Sequence, residues 1–150
     1  MNIPIPQTLK MEHDELHSEL QFIMNEHGKV GEAAKAVAKI LHPHFVKEEI
    51  YALPPLGLLA ALSKGEAVPH VSEVLIMTDR LRAEMPVMLE EHKAIVAALR
   101  VLVQVARAEK KLEIARFAER LIIHAHTEEE ILYPASLLVG EFVRATLITA

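Results

Sequence analysis

The chain contains no cysteine. That removes disulfides, thiolate nucleophiles, iron–sulfur ligation and Cys-type zinc sites together, so any metal must be held by nitrogen and oxygen. Tryptophan is absent, aromatics amount to 4% and there are 5 glycines, a composition poorly suited to a β-sandwich. Positive charge is also short. The 16 Lys and Arg against 21 Asp and Glu leave a net charge of -5, which offers no basic field to nucleic-acid phosphates or to an anionic membrane surface. The longest apolar run, residues 52–62, holds Pro54 and Pro55 and is too short to span a bilayer, and other apolar stretches are cut by charges such as Arg100 and Arg120. The opening MNIPIPQTLK lacks the features of a signal peptide. The expectation is a cytoplasmic protein with neither a nucleic-acid nor a membrane partner, its oligomeric state left open.

Hydrophobic residues nevertheless make up 51% of the 150 residues, enough for one packed domain over 1–150. Their spacing is helical. Leu9, Leu16, Leu20, Ile23 and Met24 mark a first helix from about Thr8, as N-cap, to His27, with Gly28 as its stop. A second helix runs from Lys29 or Gly31 to Leu53, with a kink or break expected at Pro43, and residues 54–69 read as an irregular crossing. A third follows Pro69 to about Arg107, with Pro86 either kinking it or opening a new helix. The fourth runs from about Lys111 to Leu137, leaving a tail after Gly140 long enough for one short helix. The fold class predicted is all-α, an antiparallel up-down-up-down four-helix bundle.

The two halves repeat. MEHDEL around His13 matches LEEHKAI around His92, and LHPHFVKEEIY (41–51) aligns with IHAHTEEEILY (123–133). Residues four apart on a helix differ by about 40° and share a face, so His44 pairs with Glu48 and His126 with Glu130. His42 and His124, two residues earlier, are rotated by about 200° and face elsewhere, in a supporting or a surface role. The His13–His92 and His44–His126 offsets are 79 and 82 residues, and the repeat selects His44/Glu48 and His126/Glu130.

Depth gives a second criterion, since ligands on successive antiparallel helices meet only if the turn lies midway between them. The midpoints of 13 and 44, 44 and 92, and 92 and 126 fall near Gly28, Val68–Pro69 and Glu109–Lys111, all independent turn signals. His13, His44, Glu48, His92, His126 and Glu130 are thereby the predicted metal ligands, a set suited to two first-row metal ions bridged by carboxylates. His17, His27 and His70 have no counterpart and are read as structural. Glu12 and Glu91 are read as solvated, and Tyr51 and Tyr133, equivalent under the repeat, as core aromatics.

These motifs resemble the hemerythrin-like (HHE cation-binding) domain family, over about His13 to Pro134. The resemblance implies a bundle holding a non-haem di-iron centre, with His13, His44, His92 and His126 as terminal ligands and Glu48 and Glu130 as bridges; zinc or manganese would also suit the donors. Oxygen-carrying hemerythrins have a further His where this chain has Met88, so the set looks closer to the bacterial iron-centre repair type, although the cysteine-containing N-terminal segment of those proteins is absent. With Met88 as wall rather than ligand, rapid oxidation by O₂ is expected rather than reversible carriage. Two functions are open: a protein that binds or senses O₂ or a related small oxidant, or handles iron; and a di-iron enzyme that reacts with O₂, peroxide or nitric oxide in a stress response and turns over with an external reductase.

Overall fold

A computed structural model describes residues 3–149; of the unit expected over 1–150, residues 1, 2 and 150 lie outside the described residues. Those described form helices joined by turns and short irregular stretches, with no strand. Four long helical runs dominate. Helix α1 spans Gln7–Ile23, and α2 spans Lys29–Lys47 and continues as a π turn over Glu48–Ala52. A 3₁₀ turn (Pro54–Leu58) and the short α3 (Leu59–Ser63) form the crossing, followed by α4 (Val71–Ala108). Helix α5 (Leu112–Thr127), a second π turn (Glu128–Leu132) and α6 (Tyr133–Thr149) make one continuous run. Helix α4 packs against α2, α5 and α6, and α1 packs against α2 and α5.

Several boundaries differ from the sequence reading for local physical reasons. Helix α1 starts behind Pro6, whose fixed φ of -49° suits helix entry, so Thr8 lies inside the helix rather than capping it. Pro43 and Pro86 break nothing: both sit on exposed faces, where water can satisfy the carbonyls that lose their amide partners. The first helix ends at Ile23 rather than His27, and Gly28 is not its stop but the N-cap of α2, at a φ of +74° that favours glycine. Gly140 does not end the last helix. Its missing side chain instead admits Thr78 of α4, whose Oγ1 would lie 2.2 Å from a Cβ placed there.

Among the described residues, one run is long and apolar enough to cross a membrane by length and composition: Leu112–Ile148, with an 18-residue window of mean hydropathy 1.5, of which 28% is buried. The expectation that charges cut every such stretch fails here. The charges within α6 are few and are tied to α4, Arg144 to Asp79 at 2.5 Å and Glu141 to Arg82 at 3.0 Å.

Two buried apolar layers flank the middle of the long helices. One draws Leu16 and Leu20 of α1, Val37 and Leu41 of α2, Ile95 and Leu99 of α4 and Leu121 of α5. The other draws Tyr51, Leu81, Met88 and Tyr133. In every chain segment the buried histidines and glutamates fall between these layers: 13 before 16, 44 and 48 between 41 and 51, 92 between 88 and 95, and 124 and 128 between 121 and 133. Each fully buried Leu or Ile contributes about 1.5–3 kcal/mol, so apolar packing on both sides fixes the polar layer.

The Gly140–Thr78 approach carries a stability prediction. Gly140→Ala should destabilise the protein by about 1–3 kcal/mol through overpacking, and adding Thr78→Ala should recover part of the loss. Urea unfolding of the two variants and wild type measures both; an unchanged Gly140→Ala midpoint would show that α6 can move away at no cost.

Candidate metal centre

Residues 37, 41, 44 and 48 follow one stripe of α2 into the first π turn, and 118, 121, 125 and 128 follow the equivalent stripe of α5 into the second. These stripes bury His44 and Glu48 from one half, and His124 and Glu128 from the other. His13 of α1 and His92 of α4 complete a cluster of six side chains, of which His124, at 7%, is the most exposed.

The structure thus brings together four of the six ligands expected from the sequence: His13, His44, Glu48 and His92. The other two are corrected. His126 is 51% exposed and Glu130 is exposed, because the buried stripe of α5 passes through 121, 124, 125 and 128 and puts 126 and 130 on the far side. His124 and Glu128 stand in their place, at an offset of 80 residues from His44 and Glu48. That agrees with the 79 separating His13 from His92 better than 82 does.

Donor atoms of His44, Glu48, His92 and Glu128 lie within 4.8 Å of one another, as do those of His13, His124 and Glu128. Glu128 belongs to both groups. Its Oε1 is 3.3 Å from His92 Nε2, and its Oε2 is 3.3 Å from His124 Nε2 and 3.6 Å from His13 Nε2. Glu48 Oε1 lies 3.4 Å from His44 Nε2 and 4.0 Å from His13 Nε2. These buried His and Glu groups could hold a metal ion.

The outer ring nitrogens show how the imidazoles are aimed. His44 Nδ1 donates to Glu91 Oε1 at 2.9 Å, and Lys47 Nζ holds the other Glu91 oxygen at 2.7 Å. His92 Nδ1 donates to Glu129 Oε1 at 2.9 Å, and His124 Nδ1 to Glu12. A proton fixed on Nδ1 leaves the Nε2 lone pair facing inward, as carboxylate–histidine–metal arrangements require. Glu12 and Glu91, expected to be solvated only, are therefore positioning residues, each placed one residue before a buried His and serving a His on another helix. His13 lacks such a partner and stacks on Phe45 instead, with ring centroids 4.0 Å apart.

Comparison with protein-family models, with curated proteins and with solved structures finds no match. The reading of the site therefore rests on its own geometry and electrostatics.

The test of fit to a cation lies in the polar atoms left without partners. Both ring nitrogens of His13, Nε2 of His124, Oε1 of Glu48 and Oε2 of Glu128 are buried with no hydrogen bond. Each such group costs about 1–3 kcal/mol when unsatisfied, and all but His13 Nδ1 face the cluster interior. Burial and the neighbouring Glu128 carboxylate push Glu48 well above the usual carboxyl range. Burial pushes Glu128 upward too, but the close approach of Glu48, His124, His13 and His92 outweighs it and holds that carboxyl well down. For His92 and His124, burial disfavours the charged ring, yet Glu128 with Glu129 or Glu12 raises both overall. Burial lowers His44.

Tyr133 is the residue sequence reasoning most undervalued. Its hydroxyl donates to Glu48 Oε2 at 2.8 Å and sits 3.1 Å from His92 Nε2 and 3.3 Å from His44 Nε2. Tyr51 points away, to Glu84 of α4, with its hydroxyl also 3.5 Å from Met88 Sδ. The two tyrosines are not equivalent: at an offset of 80, Tyr133 matches Leu53 and Tyr51 matches Ile131. The π turn starting at Glu128 closes between residues five apart, so the residue five beyond Glu128 stays on its face. His42 is exposed, as is His27, and Met88 is a buried wall residue.

Two predictions follow from this geometry. His124→Ala and Glu128→Ala should lose bound metal, with Glu128→Ala the more severe, whereas His126→Ala and Glu130→Ala keep it; elemental analysis of the four purified variants decides, and loss in His126→Ala with retention in His124→Ala would restore the other register. Protons and metal also compete for the same lone pairs. Because Glu48, His92 and His124 are raised, they hold protons to higher pH than usual, so metal uptake releases protons and tightens as pH rises through and above the ordinary imidazole range. Calorimetric Zn²⁺ titration in buffers of different ionisation enthalpy counts those protons, and affinity that grew as pH fell would contradict the assignment.

Proposed function

We propose that this chain is a hemerythrin-like metal protein, an antiparallel up-down-up-down bundle that holds two ions. His44 and His92 serve one, His13 and His124 the other, and Glu128 and Glu48 lie between. The observation that carries this reading is Glu128, a single buried carboxylate whose two oxygens face different histidine sets, with orphaned donor atoms on the second side. One ion would satisfy only part of that arrangement. Imidazole and carboxylate suit iron, and also zinc or manganese; the resemblance to the hemerythrin-like pattern favours iron, and hence a protein that binds or senses O₂ or a related small oxidant, or handles iron. An iron pair would supply reversible one-electron chemistry and Lewis acidity.

The protein's own contribution is orientation and exclusion of water. Glu91, Glu129 and Glu12 fix three imidazoles through Nδ1. The apolar layers around Leu41, Ile95 and Leu121 on one side and Tyr51, Leu81 and Met88 on the other keep bulk water from the donors. Tyr133 holds a proton at the inner edge, donated to Glu48 Oε2.

Purified from its own host, the protein should contain two metal ions per chain, with iron dominant. Elemental analysis gives the count, and O₂ uptake by the iron-loaded protein with reductant gives the class. A stoichiometric reaction supports binding or sensing, whereas sustained consumption makes the protein an enzyme. A single ion at saturation would overturn the dinuclear reading.

A further inference from the structure

The two halves of the cluster are not equal, and the difference lies in Tyr133. Donors on one octahedral ion, each about 2.1 Å from it, are about 3.0 Å from their neighbours. The Tyr133 hydroxyl oxygen lies 2.8, 3.1 and 3.3 Å from Glu48 Oε2, His92 Nε2 and His44 Nε2. Those separations, made as hydrogen-bond contacts in the chain as it stands, match the edges such a donor would share. We propose that Tyr133 is a ligand of the ion held by His44 and His92, so that an exogenous small ligand is admitted at the ion held by His13 and His124. This rests on the dinuclear reading above.

Two further observations point the same way. The first position has five protein donors, His44, His92, Glu48, Glu128 and Tyr133, and both its imidazoles are fixed through Nδ1. The second has His13, His124, Glu128 and the more distant Glu48 oxygen, and no phenol. Its His13 is held only by stacking, because Glu49, the counterpart of Glu129 at an offset of 80, is engaged by Lys10 at 2.5 Å. Cavities reach both positions. A cavity of about 200 Å³ between α1 and α2 is lined by His13 together with His17, His42 and Glu49, and another of about 330 Å³ between α1 and α5 reaches His124. A third, of about 460 Å³, is lined by His92 of the first position together with Val96 and His126, so the two positions differ in donors rather than in access.

Ligation would exchange the phenol O–H for an oxygen–metal bond, the proton leaving to solvent, with no change in oxidation state. The experiment loads the protein anaerobically with Fe²⁺ and oxidises it with ferricyanide, one electron from each iron to one ferricyanide. Wild type should show a visible phenolate-to-iron charge-transfer band with phenolate modes in its resonance Raman spectrum, and Tyr133→Phe should lose both while keeping two irons by elemental analysis. Tyr51→Phe should keep the band. Azide is the probe for the open position: wild type should take up one per chain and Tyr133→Phe two. A diferric wild type without the band, a band surviving in Tyr133→Phe, or any other azide stoichiometry in wild type overturns the proposal while leaving the dinuclear reading intact. Failure to load two irons at all would instead overturn the dinuclear reading, and this proposal with it.

Discussion

A carboxylate buried to 1% exposure and facing three imidazole Nε2 atoms, as Glu128 is, has to be compensated by positive charge. An isolated buried carboxylate would cost far more than a small domain can spare, so it is neutralised, paired or coordinated. Here the groups that face it are rings contributed by α1, α4 and α5, and two of these, His92 and His124, are themselves held by carboxylates at the rim. The arrangement alternates outward: inner carboxylate, imidazole, outer carboxylate and, at Glu91, a lysine. Removing the centre would leave imidazoles with nothing to face, which is why the remaining features of the site are best understood from Glu128 outward.

The near-symmetry of the halves follows from that pattern, and so do its breaks. Glu12 and Glu91 each precede a buried His in sequence and each orient a His on a different helix, so one motif supplies both an inner and an outer group. Glu129 orients His92, but its counterpart Glu49 is drawn to Lys10, and no lysine stands at the matching place, which is Leu89 at an offset of 79. Tyr133 enters the cluster whereas its counterpart is Leu53. A near-symmetric scaffold thereby carries two unequal sets of donors.

Much of this was legible in the sequence. Cysteine-free composition fixed the donor types, helical spacing gave the long helices, and the local i, i+4 pair His44/Glu48 needed nothing beyond the period of a helix. The second half was misread because its donors are crowded. With His124 and His126 two apart and acids at 128, 129 and 130, registers two residues apart both yield a His-x-x-x-Glu, and aligning Tyr51 with Tyr133 chose the wrong one. The midpoint criterion could not separate them: 92 and 124 are centred on 108, 92 and 126 on 109, and the turn around Glu109–Lys111 accommodates either. The phase of α5 could have. From Ala118 and Leu121 the apolar stripe continues to 125 and 128, and position 126 falls opposite. What no single helix could reveal was the pairing of rim carboxylates with Nδ1 atoms, which depends on the distance between helices.

The π turns let one helix deliver both the shared carboxylate of Glu128 and the Tyr133 phenol to one place. In a regular α-helix, residues five apart are rotated by about 140° and could not share a small cluster. The wider turn beginning at Glu128 corrects most of that rotation, and the equivalent turn at Glu48 brings in Leu53 rather than a polar group. Apolar layers on either side hold the helices at this spacing through residues that touch no donor. The polar centre is therefore held by packing it does not itself supply, unlike small metal domains in which the ion takes the place of a core. Burial beside Glu128 favours the protonated form of Glu48, so proton and cation compete for the same buried carboxyl.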